Sequence, residues 1–246
     1  MTISMILVTH RRAHLVERVM DLNLERAGDK LDDLIWVDNA SSDDARKIIP
    51  KYNPRVSILH NENLGVAVAF NRGVACSTGD FLLLNDGDVL LPEGWLLTIK
   101  KYLSVIPNSG VLSIPHDNDG RHENVDWGNI QVTMVGGLPM CLALIRIGLA
   151  VRSRKIWNRV GYLREGLGFY GNEDTMWNDK ANSLQGEFVN YMIPRFMGLH
   201  MGNSFVGEPE PEGYWDFKMA EAKKEGKQEK IAALCEQGFP PFNPYM

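Results

Sequence analysis

The stretch Leu82-Leu83-Leu84-Asn85-Asp86-Gly87-Asp88-Val89 joins three leucines to two carboxylates that flank a glycine. Asp-Gly between apolar runs is a common turn signal, so a solvated turn is the simplest interpretation. The alternative is a functional site, because two carboxylates one residue apart can face the same side of an extended chain and repel each other unless a cation binds them. Spacing alone favours the turn, and the position at the end of a buried strand favours the site.

The chain around this stretch alternates between apolar runs and segments with helical spacing. Apolar runs predict strands at 3–9, 34–37, 56–59, 81–84 and 111–114. Helical spacing predicts helices at 13–27, 64–76 and 93–105. A further helix is expected from a Ser42 cap to Ile49, ended by Pro50. This order predicts a mostly parallel sheet covered by helices on both faces.

Polar residues follow four of these strands. They are Thr9-His10, Asp38-Asn39, Asn61-Glu62-Asn63 and Asn85-Asp86-Gly87-Asp88. The carboxyl ends of parallel strands meet at one edge of a sheet, where ligands of α/β proteins bind. We therefore expect a binding site at this edge.

The second half of the chain is less regular. Strands are predicted at 131–135, 141–145 and 187–193, and helices at 153–160, 173–183 and 215–235. A glycine-rich aromatic segment, 166–172, lies before the second of these helices and is a candidate lid. The tail at 239–245 is too rich in proline to be helical.

Composition excludes several classes of function. The net charge of -5 over 246 residues gives no overall positive charge that would attract nucleic acid or an anionic membrane. The three cysteines, Cys76, Cys141 and Cys235, form no CxxC pair, which argues against a zinc or disulfide framework. No apolar run approaches the roughly 18 residues of a membrane span, and the start lacks a signal-peptide pattern. These features predict a soluble, cytoplasmic protein.

The acidic pair and its neighbours suggest a site for a metal and a phosphate. Mg²⁺ and Mn²⁺ prefer oxygen ligands and are often held by one or two carboxylates, with phosphate and water completing the shell. Asp88 or Asp86 fits that role, and His200 after the last strand is either a further ligand or a structural histidine. Gly65 at a helix start permits close approach of an anion, although no GxGxxG or GK[ST] motif is present. Arg11 is either a phosphate contact or a solvated side chain.

Two further carboxylates have competing interpretations. Asp38 can accept from a ribose hydroxyl or a base N–H group, or it can cap the following turn. Asp174, after Glu173 at the start of a helix, can serve as a general base or satisfy the helix dipole. A close carboxylate such as Glu173 would raise the pKa of Asp174 and make it a better base.

The order of these features resembles an inverting family 2 glycosyltransferase of the GT-A fold. The strings that carry the resemblance are ILVTHRR (6–12), DLIWVDNASSDD (33–44), NENLGVAVAFNRGVACSTGDFLLLNDGDV (61–89) and FYGNEDTMWNDKA (169–181). His10 and Arg11 replace the family's commoner aromatic and asparagine, and Met176 stands where a second aspartate is usual. The central string is the most specific of the four.

The resemblance implies a role for each matching residue. Asp174 would be the base and Glu173 would position it or the acceptor. Asp88 and His200 would bind Mn²⁺ or Mg²⁺, and Asp86 becomes the principal metal ligand if Asp88 is not. The residues lining the nucleotide-sugar donor would be Thr9, Arg11, Asp38, Asn63, Gly65, Arg72, Asp86 and Gly87.

The implied fold is α/β, with a Rossmann-like, mostly parallel sheet flanked by helices and a smaller mixed-sheet region on the acceptor side. We expect one domain with a donor half at 1–115, an acceptor half at 116–205 and a C-terminal helix and tail at 206–246. The expected donor is a UDP-sugar. The acceptor hydroxyl is left open between a glycan, a lipid-linked glycan, a protein and a modified nucleic-acid base.

Two rival functions remain at this point. A sugar-phosphate nucleotidyltransferase also uses a nucleotide-binding α/β sheet, but VTHRRAHL (8–15) lacks the glycines of its triphosphate loop. A non-catalytic nucleotide-sugar-binding module would keep the fold without the chemistry.

Overall fold

The computed structural model describes residues 1–118, 131–142, 149–165 and 173–201, without the side chains of residues 116–118 and 173. The predicted lid at 166–172, the helix at 215–235 and the region 206–246 lie outside these residues. The division into donor and acceptor halves stays a prediction.

The first half follows the predicted alternation closely. Its elements are β1 (Ile3–Thr9), α1 (Ala13–Glu25), β2 (Asp33–Asp38), α2 (Ala45–Ile48), a 3₁₀ turn (Ile49–Tyr52), β3 (Val56–Leu59), α3 (Val66–Cys76), β4 (Phe81–Asp86), β5 (Val89–Leu90), α4 (Trp95–Val105) and β6 (Ser109–Ser113). The expected Ser42 cap is wrong, because α2 begins after Asp44 without a side-chain cap. Pro50 lies inside the 3₁₀ turn, where a first-turn proline loses no hydrogen bond.

The second half adds strands that the sequence did not reveal. Its elements are β7 (His116–Asn118), β8 (Val132–Val135), β9 (Leu138–Leu142), β10 (Ala150–Ser153), α5 (Arg154–Val160), α6 (Glu173–Asn182), β11 (Val189–Met192) and β12 (Gly198–His200). The sequence did not predict the short strands β5, β7 and β10. Ser153 caps α5 by accepting from the Ile156 N–H group.

The strands form one large sheet and one small one. The large sheet has the order β3-β2-β1-β4-β10-β6-β11-β9-β8, and the small one has the order β5-β12-β7. Strands β3, β2, β1 and β4 are all parallel, whereas β10 runs antiparallel between β4 and β6. The α/β class, with a parallel half and a mixed half, is therefore confirmed.

Alternate side chains of the central strands enter two separate cores. Met5 and Leu7 of β1 pack with α1 and α4 residues on one face, and Ile6 and Val8 pack with α3 on the other. All seven residues of β1 are buried, as expected for a parallel strand covered on both faces. At Gly73 an added Cβ would lie 2.3 Å from Ile6 Cγ2, so glycine lets α3 approach β1 closely.

None of the helices in the described ranges is long and apolar enough to cross a membrane.

Candidate functional site

The carboxyl ends of β1, β2 and β4 bring three predicted site residues to one edge of the sheet. Thr9 pairs with Asp38 in the β1–β2 register, and Val8 pairs with Asp86 in the β1–β4 register. Because β2 and β4 lie on opposite sides of β1, the chain reverses its direction of winding here. Such a switch point is where open α/β sheets form ligand crevices.

The turn at Gly87 redirects the chain without making a hairpin. Its N–H group donates to Val8 O (3.0 Å), which holds the turn against the end of β1. An added Cβ would lie 3.0 Å from Thr9 Cγ2, so a larger residue would disturb the edge. The following strand β5 pairs with β12 instead of β4. The Asp-Gly turn and the predicted site are therefore the same segment of chain, and the two interpretations of this sequence do not exclude each other.

This pairing brings His200 to Asp88 from a distant part of the chain. His200 is opposite Val89 in the β12–β5 register, and the Met201 N–H group donates to Asp88 O (2.7 Å). His200 Nε2 lies 3.5 Å from Asp88 Oδ2, and both side chains are partly exposed. The two predicted metal ligands are therefore adjacent and open to a ligand.

A protein cation already lies on Asp88. Arg12 Nη1 donates to Asp88 Oδ2 (3.0 Å), which balances the carboxylate. In the described part of the chain, no cluster of three or more His, Cys, Asp or Glu side chains could hold a metal. A divalent ion here would therefore have Asp88 and His200 as protein ligands and would need phosphate and water for the rest, which suits Mg²⁺ or Mn²⁺.

Asp38 is wholly buried rather than presented on the surface of the site. Its Oδ2 accepts from Arg46 Nε (2.6 Å) and from the Ser41 N–H group (3.1 Å), whereas Oδ1 is buried with no hydrogen-bond partner. Thr9 is also buried, and its Oγ1 accepts from Trp36 Nε1 (3.0 Å). In this conformation Thr9 Oγ1 and Asp38 Oδ2 are bonded to the protein's own groups, whereas Asp38 Oδ1 is a buried acceptor without a hydrogen-bond partner among the described residues.

Asn39 is a site residue that the sequence reasoning did not single out. Its Nδ2 donates to Asn63 Oδ1 (2.7 Å) and Gly65 O (3.2 Å), and its Oδ1 accepts from the Leu64 N–H group (3.1 Å) and His60 Nδ1 (2.9 Å). These bonds connect the end of β2 to the start of α3. They place the predicted residues Asn63 and Gly65 beside Asp38, and only the adjacency of Asn39 to Asp38 hinted at this role.

The loops after β1 and β2 are held in an unusual backbone conformation. Arg11, Arg12 and Ala40 all have φ near +60°, a region that costs of order 1–3 kcal/mol for such residues and is concentrated at functional sites. Two cross-loop bonds hold them: the Arg11 N–H group donates to Ser41 Oγ (2.8 Å) and the Ala13 N–H group donates to Asp43 Oδ2 (3.1 Å). The exposed side chain of Arg11 is left at the rim.

Arg72 lies on the exposed face of α3, close enough to His60 for its charge to act on the imidazole. Asp86 ends β4 with an exposed side chain. The side chains of Arg72 and Asp86 are therefore both accessible to solvent.

Asp174 lies in the first turn of α6, where Oδ1 accepts from the Thr175 N–H group (2.7 Å). It is half-buried, and its charge acts on the buried guanidinium of Arg152 in β10. Glu173 begins the same helix, and its side chain lies outside the described atoms. A predicted base is therefore available, with an arginine as its electrostatic neighbour.

Acid is expected to destabilise the folded protein through His60. Burial, and then the charge of Arg72, lowers the pKa of His60 below its ordinary value. Between that lowered pKa and about 6.5 the unfolded chain binds more protons, so stability falls as pH decreases below about 6.5. The melting temperature should drop less between pH 7.5 and 5.5 in His60→Gln than in wild type.

His14→Gln is the matched control, because His14 is exposed on α1. It should keep the wild-type pH dependence of the melting temperature. If the melting temperatures of His60→Gln and wild type depend equally on pH, His60 is not the cause of the loss of stability in acid.

Comparison with solved structures shows what this geometry resembles. S. aureus TarS 1–349 superposes with a TM-score of 0.59 at 18% identity, covering 84% of this chain and 62% of that one. The mannosyltransferase PcManGT from Pyrobaculum calidifontis, solved with GDP-Man and Mn²⁺, has a TM-score of 0.60 at 19% identity, covering 87% of this chain and 59% of that one. GalNAc-T7, solved with UDP, GalNAc and Mn²⁺, has a TM-score of 0.61 at 14% identity, covering 82% of this chain and 44% of that one.

These similarities confirm the predicted GT-A fold, and the chain spans less than two thirds of each of these proteins. A search of curated proteins gives no significant match. The model of glycosyl transferase family 2 matches residues 4–135, which is more than half of the 246 residues. The chain therefore belongs to glycosyl transferase family 2.

Proposed function

We propose that this protein transfers a sugar from a nucleotide-diphosphate sugar to an acceptor hydroxyl, with inversion at the anomeric carbon. The observation that carries the proposal is the contact between Asp88 and His200, which come from distant parts of the chain and meet at the switch-point edge. Family membership and the GT-A fold support the same reaction.

The donor would bind along the carboxyl edge of the parallel strands. Asp38, Asn63 and Gly65 would line the base and ribose side, and Asp86 and Arg72, which are exposed, would contact the rest of the donor. A UDP-sugar is the proposed donor, supported by TarS and GalNAc-T7, each of which was solved with UDP. Asp38 is buried, and its Oδ1, which has no hydrogen-bond partner among the described residues, is the atom proposed to accept from the nucleotide.

Asp88 and His200 would hold a divalent ion, Mn²⁺ or Mg²⁺. When bound, the ion stabilises the negative charge of the departing diphosphate. Two relatives of the same fold were solved with Mn²⁺. Arg12, which donates to Asp88 in this structure, is proposed to contact the diphosphate as a second cation.

Asp174 would act as the general base. It removes the proton from the acceptor hydroxyl as that oxygen forms a bond to the anomeric carbon. The bond from this carbon to the diphosphate oxygen breaks on the opposite face, and its electron pair leaves with the diphosphate. Glu173, at the start of α6, is proposed to orient the acceptor.

Thermal unfolding with nucleotides tests the donor site. UDP with Mn²⁺ should raise the melting temperature more than either alone, because the ion and the diphosphate bind together. A ligand that binds the folded state at 100 times its Kd adds about 2.7 kcal/mol to the free energy of unfolding. For a chain of this size each kcal/mol is worth roughly 2–4 °C. GDP and dTDP run in parallel identify the base.

The outcomes separate the rival functions. Slow hydrolysis of a UDP-sugar, together with this stabilisation, supports the transferase. Stabilisation by a nucleoside triphosphate with a sugar phosphate, but not by a diphosphate, would indicate a nucleotidyltransferase. Stabilisation by UDP-sugars without turnover, with any acceptor, would indicate a binding module.

A further inference from the structure

The short strand β5 begins directly after Asp88 and has two backbone edges to satisfy. In the small sheet β5 lies at the end of the order β5-β12-β7, so β12 pairs with one edge only. On that edge the Met201 N–H group donates to Asp88 O (2.7 Å). Successive carbonyls of a strand point to opposite edges, so Val89 O points away from β12. Because Val89 is buried, its carbonyl needs a partner from another element.

Asn23, in the last turn of α1, supplies that partner. Its Nδ2 donates to Val89 O (3.0 Å), and its Oδ1 accepts from the Leu91 N–H group (2.7 Å). The orientation of the carboxamide is fixed, because Val89 O can only accept and the Leu91 N–H group can only donate. The side chain therefore bonds to the outer edge of β5 as a neighbouring strand would.

The contact between Asn23 and β5 is excluded from water. Asn23 is fully buried, and its backbone oxygen accepts from Nε1 of Trp95, which is also fully buried. Breaking either side-chain bond would leave a buried polar group without a partner, which costs more than the bond itself contributes. The distance between α1 and β5 is therefore tightly held.

The proposed metal ligands lie on this same short strand and on its neighbour. Asp88 precedes Val89 in the chain, and His200 is opposite Val89 in the β12–β5 register. His200 Nε2 lies 3.5 Å from Asp88 Oδ2. The backbone of Val89, which Asn23 holds, is thus adjacent to one ligand in the chain and paired with the other.

We propose that Asn23 is a positioning residue for the Asp88–His200 pair. The segment is anchored before Asp88 by the Gly87 N–H group, which donates to Val8 O (3.0 Å), and after it by Asn23. Loss of the second anchor would let β5 move and displace the ligands of an ion that demands a defined geometry. The proposal rests on the proposed function, in which this pair holds Mn²⁺ or Mg²⁺.

The test is a titration of the full chain with Mn²⁺ in the presence of UDP, followed by the EPR signal of free Mn²⁺. Asn23→Leu fills a similar volume and removes both side-chain bonds. The Kd for Mn²⁺ should rise roughly tenfold, the scale expected for a residue that supports metal ligands without touching the ion. Binding of UDP without metal should be unchanged, because neither Val89 nor Leu91 is a proposed donor contact.

Asn71→Leu is the matched control. Asn71 of α3 is also buried, and its carboxamide bonds in the same way to Leu163 O (2.9 Å) and to the Leu163 N–H group (2.9 Å). Both leucine variants should lower the melting temperature, and Asn71→Leu should keep the wild-type Kd for Mn²⁺. A variant that only loses folded protein binds fewer ions per chain with the same Kd, so the affinity separates positioning from folding.

Asn23→Ser serves if Asn23→Leu does not fold, because its short side chain cannot bond to both Val89 and Leu91. A wild-type Kd for Mn²⁺ in the folded Asn23 variants would overturn the proposal. An equal rise of the Kd in Asn71→Leu would overturn it too, since the effect would then be general to buried asparagines.

Failure of the underlying function has a different signature. If Asp88→Asn binds Mn²⁺ as tightly as wild type, the metal assignment is wrong and the positioning role is wrong with it. If Asp88→Asn loses Mn²⁺ binding and the Asn23 variants keep it, the positioning role alone is wrong.

Discussion

Replacing Asp174 with asparagine is expected to lower the rate of sugar transfer by about 10²–10⁴-fold, the usual contribution of a general base. The amide cannot accept the proton of the acceptor hydroxyl at neutral pH. Binding of UDP with Mn²⁺ should be unchanged in a calorimetric titration, because Asp174 lies on α6 and the predicted donor residues lie at the strand ends.

Stability and catalysis can be separated in this variant. Asp174 Oδ1 accepts from the Thr175 N–H group, and the amide oxygen of asparagine can keep that bond, so the melting temperature should change little. Asp179→Asn, an exposed change on the same helix, is the control and should keep both properties.

Wild-type transfer by Asp174→Asn would exclude it as the base. A large fall in melting temperature together with the loss of transfer would show that the single change acted through folding.

Replacing Asp88 with asparagine is expected to remove the effect of Mn²⁺ on nucleotide binding. In a titration with UDP, the Kd measured with Mn²⁺ should rise to the metal-free value. The kcat/KM should fall by roughly 10²–10³-fold, because electrostatic stabilisation of the leaving group is lost. The side chains of the Asp88–Arg12 ion pair are mostly buried, so Asp88→Asn should also lower the melting temperature.

Companion variants test which residues bind the metal. His200→Gln should weaken Mn²⁺-dependent binding by about 10–100-fold. Glu93→Gln is the control, since Glu93 is 84% exposed a few residues later, and it should match wild type. If Asp88→Asn keeps the Mn²⁺ effect and Asp86→Asn loses it, Asp86 is the principal ligand and the assignment to Asp88 is wrong.

The residues of the first half were sufficient to predict the four parallel strands and the edge where a site forms. Apolar runs such as Ile3–Thr9 and Asp33–Asp38 have both faces buried, and periodicity reports burial directly. Polar residues at each strand end then indicated a crevice, since parallel strands end at the same edge. The spacing of Asp86 and Asp88 made them candidate site carboxylates, and the family resemblance added His200 as a metal ligand.

Tertiary structure alone decided which groups meet at that edge. The antiparallel β10 enters between β4 and β6, and no local pattern marks it as their neighbour. The same holds for Arg12 on Asp88 and Arg46 on Asp38. Hydrophobic periodicity records which face of an element is buried, and it contains no information on which distant element covers that face. The sequence therefore determined the frame and the candidate carboxylates, whereas the fold determined the cation that each carboxylate faces.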